Sequence, residues 1–267
     1  MKLSFLFYAP IPDLGELDRR MGRLAALGYQ GIELSVSHPM PYPAEDVLAL
    51  TRKHNLPVVS FLSGWSYANE GLCLASPKAE VRQRAAARLI EYVDYTSRLG
   101  AVLVVGLMQG LRSDEADEAL ANPRIAACLR PVADAAVQRG GIVVLEPVNH
   151  LQVGFNHTAA EALAMIESVG SAGLSYMLDT IHLNIEERSI LDTIRAHGRR
   201  IRHFHLCETN GGLYGTGNLD FPAVLRTLDE SGYVHFASVK IYRHAEWEMA
   251  ARSAITFVRE NYPAWKG

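Results

Sequence analysis

Cysteine is scarce: three residues in 267, Cys73, Cys128 and Cys207, with no CxxC spacing among them. A disulfide framework and a cysteine-based zinc site both lack their usual signature, and buried free thiols in a reducing compartment are the expectation. No stretch approaches the ~20 uninterrupted apolar residues of a membrane-spanning helix. The opening MKLSFLFYAP has one lysine and a short apolar run, without the length or small-residue cleavage site of a secretory leader. A cytoplasmic protein with no membrane partner is therefore expected. Like charges do not cluster either: the net charge is −3 and the pI about 6.4. Nucleic-acid binding is left without an electrostatic footprint. Neither GxGxxG nor GxxxxGK[ST] follows the first apolar run, so an open nucleotide-binding sheet loses its main support.

What is present is hydrophobic residue in quantity, 49% of the chain, arranged in a repeating alternation. Short runs rich in Val, Ile, Leu and Phe recur, each followed by a longer stretch of helical periodicity. The spacing predicts strands over roughly 3–8, 31–35, 57–62, 101–107, 141–146, 175–179, 201–206 and 235–242. Helices are predicted over 16–26, 44–54, 78–98, 124–138, 159–169, 186–196, 222–230 and 246–261. Gly28, Gly100, Gly140 and Gly232 stand where a helix turns back into a strand, as C-cap chemistry requires. Strict alternation implies a parallel sheet. Eight such units, at a length near the ~250 residues typical of the fold, imply one (β/α)8 TIM barrel as a single domain over 1–267.

The chemistry-bearing residues fall at strand ends. Glu146 closes Ile142-Val143-Val144-Leu145, Asp179 closes Tyr176-Met177-Leu178, His205 ends Arg202-His203-Phe204, and Lys240 ends Ala237-Ser238-Val239. Each follows the last by about one β-α unit, so all four are expected at the C-terminal mouth, where barrels of this kind carry their active sites. Two carboxylates and an imidazole meeting there suit Mn²⁺, Mg²⁺ or Zn²⁺. Any one of them alone would be read as a loop cap or a backbone-satisfying side chain; three at successive strand ends point to a site. Glu33, Trp65, Gln109, Asn184 and Arg243 also follow strand ends and are weaker candidates for holding hydroxyls, a ring or a phosphate. His38, His150 and His157 are expected as surface imidazoles, and Met108 and Met177 as packing residues.

The segments Val144-Leu145-Glu146-Pro147-Val148-Asn149, Leu178-Asp179-Thr180-Ile181-His182 and His203-Phe204-His205-Leu206 resemble those of the xylose-isomerase-like barrels, the superfamily of sugar-phosphate isomerases and epimerases. Gly31-Ile32-Glu33-Leu34 is similar to its second strand. Gly215-Thr216-Gly217-Asn218-Leu219-Asp220-Phe221 is similar to its glycine-containing loop before the seventh helix. The resemblance implies Glu146, Asp179 and His205 as metal ligands, and His182 as a contact to substrate or to groups around the metal. It also implies proton transfer beside a carbonyl, which needs the enediolate charge stabilised.

Three positions depart from that pattern. Lys240 stands where the fourth ligand, a glutamate, belongs; Gln152 replaces a further glutamate of the ketose 3-epimerases; Gly211 replaces a substrate-binding arginine. With His205 neutral, Glu146, Asp179 and Lys240 sum to −1 where the four-ligand site would sum to −3, so a dication is held less strongly. Either three ligands still hold a metal and Lys240 serves as a neutral base, or its ammonium occupies the cation's place; an outward-turned Lys240 is disfavoured by strand parity. The expected function is an isomerase or epimerase of a small sugar, keto-sugar or sugar acid, phosphorylated or not, with Glu146, Lys240 and His182 catalytic. Glu33, Trp65, Gln109, Gln152 and Arg243 are the expected substrate contacts. A lyase or dehydratase of a keto-sugar, with Lys240 taking the α-proton, and a non-catalytic sugar-binding barrel are the alternatives. The partner is a small sugar-type molecule, and a homo-oligomer is left open.

Overall fold

The computed structural model describes residues 1–39, 42–243 and 246–265. All eight expected strands form: β1 (Lys2–Phe7), β2 (Gly31–Ser35), β3 (Val58–Leu62), β4 (Val102–Val105), β5 (Ile142–Leu145), β6 (Leu174–Asp179), β7 (Ile201–Cys207) and β8 (Phe236–Lys240). They close into one barrel in chain order, β1 through β8, with parallel ladders. The (β/α)8 architecture expected from the alternation is therefore the architecture present.

The helices are α1 (Leu14–Leu27), α2 (Ala44–His54), α3 (Gly64–Glu70), α4 (Ala79–Leu99), α5 (Glu118–Gln138), α6 (Ala159–Val169), α7 (Thr180–Glu186), α8 (Ile190–His197), α9 (Phe221–Glu230) and α10 (Trp247–Asn261). The structure departs most from the predicted helices in three places. The short α3 and α7 follow β3 and β6 directly, each too brief to show helical periodicity. α5 begins six residues before the predicted start, because Asp117 caps it by accepting from the Ala119 N–H. Its two interior prolines, Pro123 and Pro131, sit in a helix whose buried face includes Ile125, Leu129, Val132 and Ala136. Proline inside a helix costs a backbone hydrogen bond, and that apolar face outweighs the loss.

Contacts gather the chain into two compact units, one of Met1–Leu34, Tyr42–Val59 and Leu178–Gly267, the other of Ser35–Pro41 and Ser60–Met177. In the first, Ser4 and Ser238 are Cα partners across β1 and β8, and His205 and Ser238 across β7 and β8. Strand alternation puts Ser4, Glu33, His203, His205, Ser238 and Lys240 on one set of faces, and all six are buried. The opposite face of β1 carries Phe5 and Phe7, which pack edge-on against one another; Phe7 also meets Trp247 edge-on and Phe5 meets it tilted. Gly31 is required here: a Cβ on it would lie 2.6 Å from Val59 and 2.9 Å from the Phe236 ring. In the second unit the corresponding layer is apolar. Val104, Val144 and Met177 form it, with Leu62, Val102 and Ile142 packed against them. Met108 and Met177 are fully buried, as expected of packing residues, and the three cysteines are buried and free.

Candidate active site

Asp179 has two structural jobs at once. It is the last residue of β6 and the N-cap of α7, and its Oδ1 accepts the Ile181 N–H at 3.0 Å. Helix starts leave such donors open, and a short acidic side chain satisfies them. The cap fixes the carboxylate's rotation and leaves Oδ2 for other partners. Lys240 Nζ donates to Oδ2 at 2.7 Å. His205 Nδ1 lies 3.3 Å from the same oxygen and His182 Nε2 3.8 Å from it. His182 arrives there as the third residue of α7 rather than from a loop.

These groups are almost without solvent: Asp179 and His205 are 0% exposed, His182 2% and Lys240 6%. Burial pushes the Asp179 carboxyl upward; the Lys240 ammonium, then His182 and His205, outweigh it and hold it at about 2. Asp179 is an anion at neutral pH, paired with a buried cation.

Behind His205 lies a second carboxylate. Glu33 Oε1 and Oε2 stand 3.0 and 3.1 Å from His205 Nε2, and Oε2 stands 3.0 Å from His203 Nε2. Ser238 Oγ is 3.2 Å from His203 Nε2, and Ser4 Oγ 2.7 Å beyond it. A hydrogen-bonded row thus runs His205–Glu33–His203–Ser238–Ser4, and its His205 end lies 3.3 Å from the Asp179 carboxylate that pairs with Lys240. Burial pushes the Glu33 carboxyl up, and the two imidazoles, His205 first, outweigh it and keep it well below the usual carboxylate range. One atom from each of Glu33, His203 and His205 lies within 4.8 Å of the others, close enough to hold a metal ion. Hydrogen bonding among these same atoms already occupies that geometry. Glu33, expected among the substrate contacts, is placed as the support of two imidazoles.

Glu146 follows β5, and its N–H extends the ladder to the Val105 carbonyl at 2.9 Å. Its own carbonyl accepts Gln109 Nε2 at 3.0 Å, and Gln109 Oε1 accepts Asn156 Nδ2 at 2.9 Å. The Glu146 carboxylate folds over Gly106, where an added Cβ would stand 2.6 Å from Oε2. Gln109 is 0% exposed and so supports the Glu146 backbone rather than facing solvent. Of the remaining expected contacts, Trp65 is half-buried on α3, and Gln152 and Arg243 are exposed.

Two features were not anticipated. Glu208, fully buried just after β7, accepts N–H bonds from Thr209 at 2.8 Å, Leu219 at 3.2 Å and Gly215 at 3.3 Å. It thereby folds the glycine-containing loop around its carboxylate. Gly211, at φ +69°, accepts the N–H groups of Tyr242 and Arg243, and an added Cβ would stand 2.3 Å from the Tyr242 ring. The ring of Tyr242 lies where a larger residue at 211 would need to be.

Residues 21–261 match the family model of the xylose isomerase-like TIM barrel. The chain is 32% identical over 221 residues to an L-ribulose 3-epimerase of Mesorhizobium japonicum, covering 82% of this chain and 73% of that one. It is 27% identical over 262 residues to a D-psicose 3-epimerase of Agrobacterium fabrum, covering 89% and 90%. A solved L-ribulose 3-epimerase superposes with a TM-score of 0.87 at 26% identity, over 98% of this chain and 95% of that one.

Proposed function

This chain belongs to the xylose isomerase-like TIM barrel family, and on that footing we propose that it epimerises or isomerises a small keto-sugar by proton transfer through an enediolate. The observation that carries the reading is the buried meeting of Asp179, His205 and Lys240 at strand ends with His182 on the first turn of α7, in a chain related to L-ribulose and D-psicose 3-epimerases. A base removes the proton from the carbon beside the ketone. The C–H electron pair becomes the new C=C bond, and the carbonyl oxygen takes up the charge. When the proton leaves C3, its return to the opposite face of C3 gives the epimer; when it leaves C1, protonation of C2 gives the aldose.

Glu146 is the proposed base. It stands one residue beyond Leu145, which pairs with Tyr176 in the β5–β6 ladder. His182, held by the first turn of α7, is the proposed proton partner of the substrate oxygens. Trp65, Gln152 and Arg243 are the proposed contacts to the sugar's outer hydroxyls. Fully buried Glu33 and Gln109 act on the machinery instead, orienting His205 and the Glu146 backbone.

The fold family implies a divalent metal at these strand ends. The donors around Asp179 do not fit that group: Asp179 Oδ2, which would ligate it, carries the Lys240 ammonium at 2.7 Å.

The test is exchange in D₂O. L-ribulose, D-psicose and D-fructose are each incubated with the protein, and the C3 proton is followed by NMR. Loss of that signal together with a second ketose is the expected result. Appearance of an ultraviolet-absorbing unsaturated product would make the enzyme a lyase. Binding without exchange would make it a sugar-binding barrel.

A further inference from the structure

We propose that the ammonium of Lys240 is the resident cation of this site, standing where a dication would stand and holding the oxygen on which negative charge develops. The second clause rests on the enediolate reading above; the first does not. Three observations converge on it. Lys240 ends β8 with its side chain 8% exposed, and its ammonium donates to a carboxylate oxygen that has no solvent contact. That oxygen is also the one nearest His205 Nδ1 and His182 Nε2, at 3.3 and 3.8 Å, so the donors that would surround a metal converge on the lysine's own acceptor. The remaining Asp179 oxygen is spent on the Ile181 N–H, which keeps the carboxylate from swinging round to offer a second ligand.

The exclusion follows from charge. A dication bonded to Asp179 Oδ2 at about 2.1 Å would lie within a few ångströms of Nζ, with almost no water to screen the two. A metal could enter only by expelling the ammonium from a buried ion pair. Conversely, an ammonium is a compact charge with three donors. It can keep its bond to Asp179 and still aim an N–H at a ligand oxygen. The developing oxyanion is then met by a fixed positive donor in a water-poor site, which is the kind of stabilisation that lowers such barriers most. No bond to Lys240 forms or breaks in this role. The base takes the carbon-bound proton, the electron pair moves to oxygen, and the ammonium remains an ammonium.

The test uses the whole chain and Mn²⁺ as probe. Metal content is measured by mass spectrometry on protein purified without chelators. Mn²⁺ titration calorimetry is run on the native protein, on Lys240→Glu and on Lys240→Met, with circular dichroism confirming that each variant is folded. The native protein is expected to hold no stoichiometric metal. Its affinity for Mn²⁺ should be on the order of 10²-fold weaker than that of Lys240→Glu. Lys240→Met removes the cation without adding a ligand and should gain affinity by about tenfold or more, which keeps the test open if the glutamate variant fails to fold. Tight 1:1 binding by the native protein overturns the proposal. So does failure of any folded variant to bind better than the native protein, since the exclusion would then not be the lysine's. D₂O exchange that persists in EDTA and is lost in Lys240→Met supports the second clause, and exchange requiring added metal overturns it. Absence of exchange under every condition would sink the enediolate reading while leaving the calorimetric result standing.

Discussion

Asp179 shows how one side chain can be held by local structure and used by distant structure. Its cap bond is local and would survive in asparagine, whose carbonyl also accepts an N–H. Its charge is needed by Lys240. Asp179→Asn should therefore keep α7 and lose the ion pair, weakening the hold on a buried ammonium at a cost of about 3–5 kcal/mol, read by urea denaturation. A loss near zero would mean that Lys240 escapes to water. The difference should itself depend on pH. With the folded carboxyl held at about 2, against 3.8 for the ordinary group, the pairing is fully present above pH 4 and is lost as pH falls through about 2. The gap in urea midpoint between native protein and Asp179→Asn should hold from pH 7 to 5 and close below pH 3. The buried thiols give a simpler prediction. Burial first, then the nearby Asp114 carboxylate, pushes the Cys73 thiol to about 12. At pH 8 it stays protonated, and thiolate-specific reagents should label Cys73 only after unfolding.

At the scale of the element, the strand-end positions were legible because a parallel barrel leaves one periodicity for strands and one for helices, and a charged residue closing an apolar run marks the mouth. Asp179, His205 and Lys240 were found that way, and they do meet. His203 and Glu33 were underused, although the signal was present: in a strand, positions 203 and 205 share a face, so a second imidazole had to point inward with the first. The helices α3 and α7 were missed because seven residues span barely two turns, too few for a period of 3.6 to show. The start of α5 was missed because a proline such as Pro123 usually marks a helix boundary, whereas the true cap is Asp117. The start of α6 carries a full capping pattern. Thr158 and Glu161 form a reciprocal box at α6, with each side chain on the other's backbone N–H. Thr158→Ala should cost about 1 kcal/mol, seen as a lower urea midpoint with an unchanged slope. At the next loop, Gly211→Arg would restore the residue of the ketose 3-epimerases against a backbone at φ +69° and the Tyr242 ring. It should destabilise the chain, and Tyr242→Ala made alongside it should recover only the steric part, because the left-handed backbone remains unfavourable for arginine.

At the scale of the whole molecule, a closed barrel must join its first strand to its last, and β1 pairs with β8 across more than two hundred residues of chain. Such long-range closure collects its favourable contacts late, after the loop entropy has been spent. The joint therefore needs covering on its outer face, and α10 supplies the cover. Its Ala250, Ala251, Ala254, Ile255 and Val258 are buried, Trp247 stacks edge-on with Phe7 at 5.2 Å, and the Ala251 carbonyl accepts the buried Tyr29 hydroxyl at 2.9 Å. Removing residues 247–267 would bare Phe5 and Phe7 and leave that phenol without its acceptor. Unfulfilled polar groups and exposed apolar area both count against the folded state. The truncated chain should lose its near-ultraviolet circular dichroism and its sigmoidal urea transition and bind a hydrophobic dye, while retaining much of its far-ultraviolet signal. Trp247→Ala, which keeps the rest of α10, should retain a cooperative transition with a lowered midpoint. A truncated chain that unfolds cooperatively at the native midpoint would show that the β1–β8 joint closes without α10, and that the helix is an addition to the barrel rather than part of what holds it shut.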